Sequence, residues 1–351
     1  MKTRAFKFAS PLLVYVLSFL SFTYTGWVIY LPLVYAWVII PLTELVLKPD
    51  DKNLSAAAEE LAKNDRLYDY WLYAIVVLQY LSLFYFLNSM KQPLQWYETA
   101  GRIGSMGLVC GSFGINVGHE LGHRANKFEQ TLAKMLLLTS LYMHFFIEHN
   151  KGHHKNVSTK EDPGSARYGE MIYSFYFRTI IFSWLSAWKI AGRDMQKKGL
   201  QGFHPNNEML QFQVIQLIFI SAIFFFYGWL ITLYFLAAAL MGILLLETVN
   251  YIEHYGLERK QNAEGKYERA MPHHSWNSNH ILGRLMLFEL SRHSDHHYLA
   301  SRKYQVLRHH ENAPQMPTGY PGMMLLSLLP PLWFYVMNQR IKKLPFYRMA
   351  A

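Results

Sequence analysis

Residues 209–246 read MLQFQVIQLIFISAIFFFYGWLITLYFLAAALMGILLL and contain no charged side chain. A bilayer core takes about 20 mainly apolar residues per helix. The stretch is therefore long enough for two crossings, with a turn near Tyr227-Gly228. The rest of the chain divides on the same criterion. Lys and Arg are absent from 8–47, 67–90, 103–123 and 209–257, and crowd the segments between. The predicted spans are 8–47 as two, broken between Gly26 and Pro32, then 70–89, 103–118, and 209–246 as two.

The expected fold is an all-α integral membrane protein with six transmembrane helices in three hairpins. That arrangement places both termini and every long loop on one side. Lys2, Arg4 and Lys7 make the N-terminus basic, while the outer turns offer only Lys91 and Arg102. Basic segments stay inside, so the shared side is cytoplasmic and the membrane is the cytoplasmic (inner) one. Residues 1–351 are expected to form a single membrane-embedded unit, with cytoplasmic segments 119–208 and 250–351. The aromatic-rich 171–190 is expected to lie at the interface as a helix. Residues 309–322, with three prolines, form a loop, and 323–337 is too short to span and lies on the membrane surface.

Composition agrees and excludes other classes. Charged residues make up 17% of the chain, against about 25% in soluble domains. The net charge of +10 is partitioned between apolar runs, and no aromatic-plus-basic module accompanies it, so nucleic acid is not a partner. The one cysteine, Cys110, cannot build a disulfide framework, a Cys-rich zinc site or an iron–sulfur cluster. It is expected to be a packing residue.

The polar segments carry sixteen histidines. Eight fall in three clusters: HELGH (His119, His123), HNKGHH (His149, His153, His154) and HSDHH (His293, His296, His297). His254, in NYIEHYG, follows the last span and fits the same layer. Spacings of three and four residues stack side chains on one helix face. Imidazole is a ligand for iron, zinc and copper, and a tetrahedral ion takes about four ligands. Nine histidines therefore suit two metal ions. HELGH alone matches a zinc-protease motif in which Glu120 would be the general base, but it leaves the other clusters unexplained. Zinc has no redox chemistry, and copper remains open on ligand type. His144, in LYMHFF, is expected to be a packing residue, and His204, His309 and His310 to be solvated. His273, His274 and His280 flank SWN and are candidates for orienting ligand rings, as are Glu120, Glu148, Asp295, Trp276 and Asn277.

As a set, GHELGHR, FFIEHNKGHHKNVSTKEDP, NYIEHYGLER, PHHSWNSNHI, RHSDHH and PTGYPGM, covering roughly 95–325 in order, resemble the membrane-bound alkane hydroxylases (alkane 1-monooxygenases) of the histidine-box desaturase and hydroxylase superfamily. The resemblance implies a cytoplasmic histidine-rich di-iron domain beneath the bundle, with two non-haem iron ions and O2 as co-substrate. It implies terminal hydroxylation of an alkane, with electrons from rubredoxin, itself reduced by rubredoxin reductase. The ligands it implies are His119, His123, His149, His153, His154, His254, His293, His296 and His297. The chain departs at Ser291 and Glu289, where glutamine and histidine are usual, and YLASRKYQ lacks the usual proline; no ligand is lost. Lys151, Lys155, Arg302, Lys303 and Arg308 are candidate contacts for the acidic electron carrier, and membrane lipid competes for the same cations. Alternative readings are a xylene-type aryl-methyl monooxygenase, a fatty-acyl desaturase or hydroxylase, and the zinc protease.

Overall fold

A computed structural model describes residues 2–345; the final residues of the expected cytoplasmic segment 250–351 lie outside them. The described residues are helical, with two isolated bridges, Gln261 to Tyr267 and Asn277 to Gln315, and no strand. The helices that matter here are α1 (Phe6–Thr23), α2 (Gly26–Val46), α3 (Leu67–Ser89), α4 (Trp96–Val109), α5 (Lys127–Leu138), α6 (Ile172–Gln196) and α7 (Glu208–His254). Three follow in the C-terminal region: α8 (His293–Tyr298), α9 (Tyr320–Ser327) and α10 (Pro330–Lys343). Among the described residues, α1, α2, α3 and α7 are long and apolar enough to cross a membrane.

α7 has 47 residues, which at 1.5 Å per residue is about 70 Å, more than twice a bilayer core of about 30 Å. Gly228 breaks it, with φ 81° and ψ 172°. Only glycine adopts such a conformation cheaply, and the break falls where the sequence placed the turn. The chain forms two compact units, one of Met1–Val38, Asn64–Gly152 and Ser183–Leu246, the other of Ile39–Lys63, His153–Phe182 and Glu247–Ala351.

In the first unit, α4 does not end at Val109 but continues through a π-helical turn, Cys110–Ile115, into Asn116–Gly122. The helix is therefore longer than the span expected at 103–118, and protein buries it nearly all round. A column of glycines explains this. A Cβ on Gly107 would lie 2.7 Å from Met241 Cβ, and one on Gly242 would lie 2.6 Å from Cys110 Cβ. Small residues let helix backbones approach where no hydrophobic force separates helix from lipid. Cys110 is a fully buried packing residue, as expected. Gly242→Ile should lower stability by about 1–3 kcal/mol through overpacking, read as a fall in the melting midpoint in detergent. An unchanged midpoint would contradict the close approach.

Arg102, expected at an outer turn, is instead fully buried inside α4. Its guanidinium donates to Ser21 O at 3.2 Å, Tyr24 O at 2.8 Å and Ser89 O at 2.7 Å. These carbonyls belong to the C-terminal ends of α1 and α3, where a helix leaves acceptors unsatisfied.

In the second unit, arginines lace an extended segment onto the C-terminal region. Arg284 donates to Asp50 O at 2.6 Å, Arg292 to Lys52 O at 3.0 Å and Leu307 O at 2.8 Å, and Arg308 Nε to Glu59 at 2.7 Å. The expected loop 309–322 runs to Gly319. Beyond it, the expected surface segment 323–337 is a helical hairpin, α9 and α10. Pro330-Pro331 opens α10, where a missing N–H costs nothing. The expected interfacial helix 171–190 is helical as part of α6.

Candidate metal centre

Four histidines of the second unit converge. His153 leaves a π-helical turn, His149–His153, and His254 is the last residue of α7. His293 and His297 lie four residues apart on one face of α8. His153 Nε2 is 3.3 Å from His297 Nε2, and His293 Nε2 is 3.2 Å from His254 Nε2. The four ligand atoms lie within 4.8 Å of one another and all four rings are buried. Burial first, then the neighbouring imidazoles, hold His297 well below the ordinary histidine range, so its ring is neutral. Two Nε2 atoms facing each other at these distances must share a proton or offer their lone pairs together to a cation. A cation satisfies such a donor set, so the residues fit a metal.

His154 and His296 turn the other way from their neighbours and meet each other, Nε2 to Nε2, at 3.0 Å. Burial is the main reason that His154 is pushed down to about 3. In the first unit, HELGH forms the last turn of the α4 continuation. His119 Nε2 and His123 Nε2 are 3.2 Å apart, and His149 Nε2 is 3.1 Å from His123 Nε2. The π-helical turns Cys110–Ile115 and His149–His153 lie at or just before a histidine cluster, a common place for that irregularity, whereas a third, Tyr35–Ile39 in α2, has no histidine in it. Each of the nine expected ligands therefore stands in a histidine group within its own unit.

The expected supporting residues divide. Glu120 is held by Arg124 at 2.7 Å, and Arg124 also faces Asp69 at 3.3 Å. An ion-paired carboxylate is poorly placed as a protease base. Glu148 Oε1 occupies the space in which a Cβ on Gly152 would sit, at 2.5 Å, which explains the glycine in HNKGHH. Asp295 faces away from the quartet: it accepts from Arg302 at 2.6 and 2.7 Å, Arg308 N at 2.9 Å and His310 Nε2 at 2.7 Å. Burial pushes this carboxyl up, but those donors outweigh it and hold it below the usual carboxylate range. His310, expected to be solvated, is part of that cluster. Trp276 donates to Tyr255 O at 3.0 Å, next to His254, and Asn277 accepts from Ser294 Oγ at 3.0 Å, next to His293.

His273 and His274 form a separate group with Glu268. His274 Nδ1 accepts the Met271 N–H at 2.9 Å, and its Nε2 lies 3.2 Å from Glu268. A neutral ring that accepts at Nδ1 carries its proton on Nε2, so it has no lone pair left for a metal. His144 is buried against Tyr142, as expected of a packing residue, and burial pushes it down to about 3. Of the candidate docking cations, Lys151 pairs with Asp194 at 2.6 Å, Arg302 with Asp295, and Arg308 with Glu59.

Two carboxylates were missed in the sequence. Asp162 is buried, with Oδ2 2.9 Å from His153 Nδ1, 2.5 Å from Ser165 Oγ, and Oδ1 accepting from Gly164 N at 3.1 Å. Glu253 Oε2 lies 3.1 Å from His293 Nε2, so an oxygen donor stands beside the imidazoles. KEDPGSAR and NYIEHYG contain both residues; only the fold brings them to the rings. Asp162→Asn should weaken metal binding by about 10–100-fold, the usual effect of losing a partner that orients a ligand ring. Competition with a chelator measures it, and an affinity within twofold of the native protein would contradict the assignment.

The model of the fatty acid desaturase family matches residues 100–327. The chain is 45% identical over 247 residues to alkane 1-monooxygenase 2 of Pseudomonas aeruginosa, an alignment covering 70% of this chain and 66% of that protein. It is 38% identical over 328 residues to alkane 1-monooxygenase 2 of Alcanivorax borkumensis, covering 91% and 83%. It is 29% identical over 245 residues to the xylene/toluene monooxygenase hydroxylase component of Pseudomonas putida, covering 70% and 64%.

Proposed function

This chain belongs to the fatty acid desaturase family, among the alkane 1-monooxygenases, and from that premise we propose that it is a membrane-bound non-haem di-iron monooxygenase. It hydroxylates the terminal methyl of medium-chain n-alkanes to 1-alkanols: R–CH3, O2, two electrons and two protons give R–CH2OH and H2O. Rubredoxin supplies the electrons and rubredoxin reductase restores them. The observation that carries this reading is the buried quartet of converging imidazoles in the second unit.

Bound iron would supply the activation of O2 and the oxidation of the C–H bond. The chain's own residues do the rest. His153, His254, His293 and His297 would hold one ion; His119, His123 and His149 would hold the other, and His154 and His296 bring the ligands to nine. Asp162 fixes the His153 ring by taking its Nδ1 proton in a hydrogen bond. Trp276 and Asn277 hold the backbone next to His254 and His293.

An alkane offers neither charge nor hydrogen bond, so its binding comes from apolar burial, about 0.8 kcal/mol per CH2. The bilayer is the natural source of that substrate. The whole chain acts as one oxygenase with six crossings: α1, α2, α3, α4 and the two arms of α7. Its termini and histidines face the cytoplasm across the cytoplasmic membrane.

Iron content and O2-dependent conversion of octane under a rubredoxin reducing system test the proposal. Two irons per chain with 1-octanol as product are expected. Iron with an aryl-methyl alcohol as the preferred product would move the substrate towards xylenes, and zinc with O2-independent activity would overturn the proposal.

A further inference from the structure

The α9–α10 hairpin has an outer face that the metal centre does not use. On the inner side of α10, Trp333, Met337 and Ile341 are fully buried at four-residue intervals. Trp333 packs with its ring 5.3 Å from both Tyr251 and Tyr255, and Tyr255 donates to Asn338 at 2.8 Å. That face is committed to the second unit. The outer side is graded along the helix. Leu329, Leu332 and Tyr335 are 54%, 52% and 69% exposed, whereas the last turn carries Arg340, Lys342 and Lys343. The apolar half is continuous with exposed aromatics of α6: Tyr173 donates to Leu328 O at 2.8 Å, and Phe177 is 74% exposed one turn on.

α10 has 14 residues, or about 21 Å, too short to cross a core of about 30 Å. A water-facing helix would not keep leucine at Leu329 and Leu332 and tyrosine at Tyr335 on its outer side. We propose that the α9–α10 hairpin is seated obliquely in one leaflet: Leu329 and Leu332 enter the hydrocarbon, Tyr335 lies at its boundary, and Arg340, Lys342 and Lys343 engage anionic phospholipid headgroups. The order of apolar, aromatic and cationic residues along one face commits the occupant to lipid. Aromatic rings favour the interface, and clustered cations near a membrane attract anionic headgroups.

Nitroxide labels placed singly at Leu329→Cys and Gln339→Cys in the full chain, in phosphatidylcholine bilayers with or without phosphatidylglycerol, test this. Cys110 is buried and stays unlabelled. The Leu329 label should relax with dissolved O2 and hardly at all with a water-soluble nickel chelate, and the Gln339 label the reverse. Phosphatidylglycerol should reduce nickel access at Gln339 several-fold. Arg340→Gln, Lys342→Gln and Lys343→Gln combined should abolish that effect without changing the depth at Leu329. Equal nickel access at both positions would overturn the seating in lipid. Shielding of Leu329 from both reagents, with broadening from a second label, would assign the face to another copy of the chain. A native protein indifferent to phosphatidylglycerol would overturn the headgroup contact.

Discussion

His254→Ala should leave the quartet unable to retain its metal, and oxygenase activity should fall by more than the 10–100-fold typical of an orienting partner alone. His254 is fully buried and its Nε2 lies 3.2 Å from that of His293. Removing it leaves three rings and no second donor from α7 except Glu253. His144→Ala is the matched control, since His144 is also buried yet stands against Tyr142 in an apolar setting. Both substitutions leave a cavity of similar size and should cost comparable stability. Only His254→Ala should lower iron per chain. Equal iron retention in the two variants would remove His254 from the ligand set.

Arg102→Met should cost about 3–5 kcal/mol, as expected when one partner of a buried polar network is removed. The methionine fits the volume but leaves Ser21 O, Tyr24 O and Ser89 O without their donor, and lipid offers no water to replace it. Arg102→Lys should recover only part of the loss, because an ammonium cannot present a planar fork to three carbonyls. Denaturation in detergent measures both variants. A native-like midpoint for Arg102→Met would show that those helix ends find other donors.

Much of this was legible in the sequence because helical periodicity is local. The uncharged 209–246 gave two arms and a break at Gly228, and the four-residue spacing put His293 and His297 on one face, whereas His296, expected on that face too, turns to His154. What escaped depends on distance along the chain. Asp162 is nine residues from His153 and reaches it only because the intervening turn folds back. Asp295 adjoins two histidines in sequence, yet its carboxylate points to Arg302 and His310. Arg102 looked like a loop cation because burying a guanidinium requires carbonyls that only other helices provide. The enclosure of α4 was written in its glycines, whose spacing acquires meaning only once Met241 and Gly242 are known to lie opposite.

His153-His154 and His296-His297 are each neighbours in the chain, and in both pairs one ring joins the quartet while the other joins the His154–His296 contact. Consecutive Cα atoms are held about 3.8 Å apart, so each dipeptide works as a yoke. Settling one ring of a yoke leaves the other with little freedom to lose, which lowers the entropic cost of the next capture. Capture of an ion by the quartet should therefore also hold His154 and His296 in place: on titration with diamagnetic zinc their ring NMR signals should shift together with those of His153 and His297, and signals that stay put would contradict the coupling.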